Sequence, residues 1–203
     1  NFTSPAFVAR VNYHGVKGLR VGASFYYNQT AKNGTKPWRN TGYKFPVTIV
    51  TGDLQYKGFN NNLIVRGNAV YGNLGASGAL TTINNSSSAA SGYPNTTVAQ
   101  NAVSYGGEAG YNIGSFFHSK APRIYPFIRY EYYNPMEKTE ANTGLLADKR
   151  FQVSAVTAGL NYYALPNLVI KADYTHRSIG GGKYNDENLV SVGIAYIGWF
   201  IKK

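Results

Sequence analysis

Leu168-Val169-Ile170-Lys171-Ala172-Asp173-Tyr174-Thr175-His176-Arg177 is the stretch that decides the fold class. Leu168, Ile170, Ala172 and Tyr174 alternate with Lys171, Asp173, Thr175 and Arg177. Successive side chains of an extended strand point to opposite faces, so this spacing predicts a strand with one greasy and one charged face. Leu165-Pro166-Asn167 joins it to an earlier run, Phe151–Tyr163, where Val156, Ala158, Leu160 and Tyr162 face away from Thr157 and Asn161.

The same alternation recurs along the chain in segments of about ten residues, the signature of transmembrane β-barrel strands. Upstream, Ala6–His14 sets Phe7, Ala9, Val11 and Tyr13 against Arg10, Asn12 and His14, and Leu19–Asn28 sets Leu19, Val21, Ala23, Phe25 and Tyr27 against Arg20 and Ser24. Val47–Lys57 and Leu63–Asn73 follow, with Asp53, Gln55, Lys57 and Arg66 on their polar sides. Val103–Ile113 carries Glu108 and Ile124–Tyr133 carries Arg129 and Glu131, while Asn188–Phe200 ends the series with Val190, Val192, Ile194 and Tyr196 on one face. Nine strands are expected in all. Short connections fall near 15–18, 58–62 and 164–167, with a middling one at 114–123; longer polar ones fall at 29–46, 74–102, 134–150 and 178–187. Turns on one side and loops on the other are the outer-membrane arrangement.

Composition agrees. In 203 residues only 14% are charged and 43% hydrophobic, with 18 Tyr and no Cys. Soluble globular chains carry about a quarter charged residues. The missing cysteines exclude disulfide scaffolds and thiolate metal sites. No run reaches the ~18 apolar residues of a membrane helix, and Asn1-Phe2-Thr3-Ser4-Pro5 does not read as a signal peptide. Burying charged faces inside a small soluble barrel would cost several kcal/mol per unpaired ion. A wet lumen avoids that cost, and Tyr13, Tyr27, Tyr56, Tyr71, Tyr111, Tyr132, Tyr162, Tyr174 and Trp199 would then form interfacial girdles. The expectation is one domain over 1–203, an all-β antiparallel transmembrane β-barrel in a bacterial outer membrane. Nine is odd whereas bacterial single-chain barrels are even, so the chain reads as the C-terminal portion of a larger barrel. Ala79–Ile83 is a candidate for a further hairpin, and the Ser/Asn/Thr tract at 82–97 reads as a mobile loop.

Lumen-facing candidates are Arg10, Arg20, Lys57, Arg66, Arg129, Lys171 and Arg177, against Asp53, Glu108, Glu131 and Asp173. Seven bases against four acids leave +3, and basic rings in a pore favour anions. Pairing along a strand, Arg129 with Glu131 or Lys171 with Asp173, is the alternative use of these charges. The first long loop adds Lys32, Lys36, Arg39 and Lys44 with no acid, a basic mouth for anions or for lipopolysaccharide phosphates, or a merely solvated loop. Catalysis has little to rest on. Asp173 and His176 are three apart on one strand and point to opposite faces. Gly180-Gly181-Gly182-Lys183 is followed by Tyr184 and not by the Ser or Thr of a phosphate loop. Asn28, Asn33, Asn85 and Asn95 head Asn-x-Ser/Thr sequences, which are ordinary polar composition in a bacterial loop. The formal +11 is spread along the chain and does not read as a nucleic-acid surface.

Tyr125-Pro126-Phe127-Ile128-Arg129-Tyr130-Glu131-Tyr132, Leu189-Val190-Ser191-Val192-Gly193-Ile194-Ala195-Tyr196 and the segment from Val16 to Tyr27 together resemble the C-terminal half of the porin O/porin P family of outer-membrane porins. The resemblance implies a barrel of about sixteen strands, diffusion of anions (in some members phosphate), no cofactor, and the trimeric habit of porins. The end departs from the pattern: Ile201-Lys202-Lys203 follows Trp199-Phe200. No tract of closely spaced lysines marks a dedicated phosphate site. The expected function is a passive channel for small hydrophilic solutes leaning towards anions. The alternative is a non-conducting barrel serving as a structural or complex-assembly subunit, and an outer-membrane enzyme comes third.

Overall fold

Each alternating segment is a strand in the computed structural model, which describes residues 5–30, 44–87, 97–117, 122–141 and 143–196. Lys32, Lys36, Arg39, His118, Trp199, Asn33, Asn95 and positions 88–96 of the polar tract lie outside the described residues. The strands are β1 Ala6–Tyr13, β2 Leu19–Thr30, β3 Phe45–Gly58, β4 Leu63–Leu74, β5 Asn101–Tyr111, β6 Arg123–Lys138, β7 Val153–Leu165, β8 Leu168–Ile179 and β9 Asp186–Tyr196. They form one nine-stranded sheet in strict chain order. Every neighbouring pair is antiparallel. The fold is all-β. Among the described residues β1 pairs only with β2 and β9 only with β8, so the sheet has two free margins. Both marginal strands run from the long-connection end to the short-turn end.

Several elements differ from the expectation; β6, for one, runs on to Lys138 into the stretch read as a loop from 134. No hairpin forms at Ala79–Ile83; Ser77–Ser87 is an α-helix, α1. Its small polar residues hydrogen-bond locally: Thr81 Oγ1 donates to Ser77 O at 3.0 Å and Thr82 Oγ1 to Gly78 O at 3.1 Å. Ser and Thr commonly bond the backbone locally in this way, here to the carbonyl four residues back. Glu140 accepts the Gly78 N–H at 2.5 Å, and the Thr81 hydroxyl accepts the Val98 N–H at 2.9 Å, tying α1 to two neighbouring connections. Part of the tract read as mobile is therefore helical. β7 also starts later than expected, because Lys149–Phe151 forms a 3-10 turn with Asp148 as its cap.

The short turns use backbone geometry closed to most residues. Gly18 sits at φ +80°, and a Cβ there would strike the Lys57 carbonyl oxygen. Its own carbonyl accepts the Lys57 N–H at 2.8 Å, fastening the β1–β2 turn to the end of β3.

Register assigns the faces, since directly paired residues lie on the same side. Arg10 pairs with Ser24, Arg20 with Gln55, Gln55 with Arg66, Arg66 with Glu108, Glu108 with Arg129, Arg129 with Thr157, and Thr157 with Thr175. This is the polar face. The opposite face carries Val11, Phe25, Leu54, Val65, Ile128, Leu160, Ile170 and Val192; its formal charges, Lys138, Asp186 and Glu137, whose carboxylate accepts from the Tyr132 hydroxyl and the Asn134 amide, stand at the long-connection margin. The apolar face is bare: Val11 is 72% exposed, Ile128 58%, Val192 76% and Ile194 71%. Among the described residues the buried hydrophobic side chains are Phe45, Tyr125, Met136, Val153 and Val169. Phe45, Tyr125, Val153 and Val169 share the register parity of the polar face and sit near its two ends. Among the described residues no hydrophobic core lies under the greasy side, and no described helix is long and apolar enough to cross a membrane.

Candidate functional site

Seven sequence-predicted bases, Arg10, Arg20, Lys57, Arg66, Arg129, Lys171 and Arg177, all fall on the polar face by register. At mid-height they build two clusters, each an acid held between two arginines. Asp53 on β3 takes Arg10 Nη2 at 2.7 Å and Arg20 Nη2 at 3.4 Å. Glu108 on β5 takes Arg129 Nη2 at 2.6 Å and Arg66 Nη1 at 3.3 Å.

Arg10 lies two strands from Asp53, and Gly22 on the intervening strand makes the contact possible. Gly22 pairs with Asn12 on one side and Asp53 on the other. A Cβ there would strike the Arg10 guanidinium and stand 2.5 Å from Asp53 Oδ2. The side-chain-free position is the notch through which the arginine crosses. Asn12 and Ser24 accept its other N–H groups at 3.0 and 2.8 Å.

Glu108 draws Arg129 from the facing position on the next strand. Directly opposed residues have Cβ atoms ~5 Å apart, whereas same-face neighbours along a strand are ~7 Å apart. That ordering explains why Arg129 donates twice to Glu108, at 3.0 and 2.6 Å, while the pairing along the strand with Glu131, the alternative read from the sequence, is present as a looser ion pair at 3.9 Å from Nη1. Lys171, by contrast, forms no ion pair with Asp173 among the described residues, and Lys57 forms none. Arg177 is apart from both clusters: Nη1 meets Glu187 at 2.9 Å, and Nη2 donates to the Tyr133 hydroxyl at 3.2 Å. Of the basic mouth, Lys44 is exposed just before β3.

Sequence reading missed some polar-face residues. Arg123 pairs with Tyr163 and Glu187 with Arg177, adding one charge of each sign and leaving the excess at +3. Starting β6 at Arg123 and β9 at Glu187, each one position before the expected start, would have found them. Aromatics on this face were also missed. Tyr125 and Tyr163 meet edge-on at 5.7 Å, and the Arg123 guanidinium lies 4.7 Å over the Tyr163 ring. Phe127 is set between Gly110 and Gly159, paired residues that leave room for its ring. Asp173 lies on the polar face and His176 on the opposite one, separated as expected; His176 Nδ1 lies 3.0 Å from Asn188 Oδ1.

The polar face is hollowed between β2 and β6 into a cleft of about 400 Å³, lined by members of both arginine–acid clusters. The exposed pairs contribute little to stability, typically ~0–1 kcal/mol each; what they fix is where charge stands. No protein-family model matches this chain, and no curated protein matches it significantly.

Proposed function

We propose that these nine strands form part of the wall of a bacterial outer-membrane β-barrel, a porin that passes small hydrophilic solutes with a lean towards anions. The observation that carries the reading is the reversed amphipathy of the sheet. One face holds Val11, Ile128, Val192 and Ile194 almost bare, and the other holds the arginine–acid clusters. Water penalises such a continuous greasy face, and soluble monomers rarely expose contiguous apolar patches beyond a few hundred Å². Lipid covers it at no such penalty, and the charged face then borders an aqueous lumen. Tyr13, Tyr56, Tyr111 and Tyr162 lie on the apolar face near the short turns, and Tyr27, Tyr71 and Tyr132 nearer the long connections, where interfacial girdles belong. The +3 excess of the polar face supports the anion lean, as does the resemblance to porin O/porin P proteins. Antiparallel closure requires an odd number of further strands, because β1 and β9 run in the same direction.

Planar-bilayer recording in a KCl gradient tests this reading. The expected result is ohmic current with a reversal potential on the chloride side. Arg66→Glu or Arg129→Glu should move that potential towards potassium. Silence in bilayers that contain the protein would favour a non-conducting structural barrel instead.

A further inference from the structure

The charged lining of the polar-face cleft is three arginines, Arg20, Arg66 and Arg129, and three carboxylates, Asp53, Glu108 and Glu131. It is formally neutral. The positive excess of the face lies outside the cleft, at residues such as Lys57, Lys171 and Arg123. A pocket serving a simple anion would gather that excess, and this one does not.

Its charges are also unequally committed. Asp53 is held at 2.7 Å by Arg10, and Glu108 at 2.6 Å by Arg129. Arg66 is different: its side chain is 57% exposed and makes one 3.3 Å contact with Glu108, leaving most of its five N–H donors unused. Glu131 is different too, 53% exposed with its nearest cation 3.9 Å away. Spare capacity of opposite sign thus stands on β4 and β6, across β5.

The floor between them is bare. Gly106 on β5 faces Asn68 on one side and Glu131 on the other. A Cβ at Gly106 would lie 3.3 Å from Glu131 Cγ and 2.9 Å from the Tyr130 carbonyl oxygen. Strands β4 and β6 are two spacings apart, ~10 Å. A carboxylate and an ammonium on one carbon, each in a charge-assisted hydrogen bond of ~2.8 Å, span ~9 Å. Glu131 is one pleat along from Arg66, an offset within the reach of an arginine side chain.

Resting on the porin reading, we propose that this cleft is a wall site for zwitterions of amino-acid size, with the solute carboxylate on Arg66 and its ammonium on Glu131. A lone anion at Arg66 meets the fields of Glu108 and Glu131, and a lone cation at Glu131 meets Arg129. Only a dipolar solute satisfies both ends.

Glycine and glycolamide test this directly, being isomers of the same size of which only glycine is charged at both ends. Uptake of each, radiolabelled and dilute, is measured in liposomes holding the full protein, with KCl conductance recorded on the same preparation. Glycine should enter several-fold faster than glycolamide, and Glu131→Gln or Arg66→Gln should bring the ratio to about one while current still reports inserted protein. Equal rates for the two isomers in a conducting wild type would overturn the site and leave the porin reading standing. A ratio unchanged in both conducting variants would overturn it as well. Absence of KCl current would remove the porin reading, and this inference with it.

Discussion

Gly22 and Gly159 both occupy the polar face, and they exclude side chains for different reasons. At Gly22 a Cβ meets the far ends of Arg10, Asp53 and Asn12, groups that can swing aside. At Gly159 it meets the Ala172 carbonyl oxygen at 2.7 Å, Asp173 Cβ at 2.7 Å and the Phe127 ring at 2.6 Å. Backbone does not swing. Gly22→Ala should therefore break the Arg10–Asp53 bridge yet change unfolding free energy by less than ~1 kcal/mol. Gly159→Ala should lose about 1–3 kcal/mol through overpacking, both read from urea unfolding of the protein in vesicles. Equal losses at the two sites would refute the distinction. Residue types and faces are readable in the sequence at this scale, since period two assigns a face to each position. The partners are not: pairing depends on which strand lies alongside and in what register, and no single strand states that. Arg129 shows this, holding Glu108 twenty-one positions back at 2.6 Å and Glu131 two positions away only at 3.9 Å.

At the scale of elements, strands were legible and the helix was not. A strand about ten residues long repeats its alternation several times, whereas α1 is built largely of Ser, Thr, Asn, Ala and Gly and shows no periodic apolar stripe. Two contacts tie it to the rest of the chain, the Glu140 carboxylate on the Gly78 N–H and the Thr81 hydroxyl on the Val98 N–H. Glu140→Ala should cost the helix about 0.5–2 kcal/mol, as loss of an N-terminal cap does. Hydrogen exchange over residues 75–87 should accelerate while exchange in β4 and β5 stays slow. Unchanged exchange in α1 would show that the carboxylate is not what holds it. The connection between β6 and β7 has its own electrostatic clamp. The Arg150 guanidinium, with help from its backbone N–H, holds the Asp148 carboxyl below the usual carboxylate range. A depressed carboxyl contributes its stability above the unfolded value, ~3.9, and loses it only as pH falls through the lower folded value. Protease nicking within 139–152 should therefore be constant from pH 7 to pH 5 and rise below about pH 4. A rise already at about pH 6 would point to another group.

For the molecule as a whole, adjacent residues of β9 should answer oppositely to one substitution. Val192 stands on the apolar face, 76% exposed, and Ser191 on the polar face opposite Asp173. If lipid covers the first, Val192→Arg should cost about 2–4 kcal/mol of folding into vesicles, the figure for a cation near the bilayer midplane. Ser191→Arg should stay within ~0.5 kcal/mol. Similar small effects at both positions would leave the greasy face facing water and sink the membrane reading. The sheet's strict chain order carries one more consequence. Each ladder joins neighbours in sequence, with no crossover threading above or below another strand. Severing the Gly180–Asn185 connection would therefore leave every ladder able to form, so residues before and after the cut, made as separate polypeptides, should reassemble by complementation.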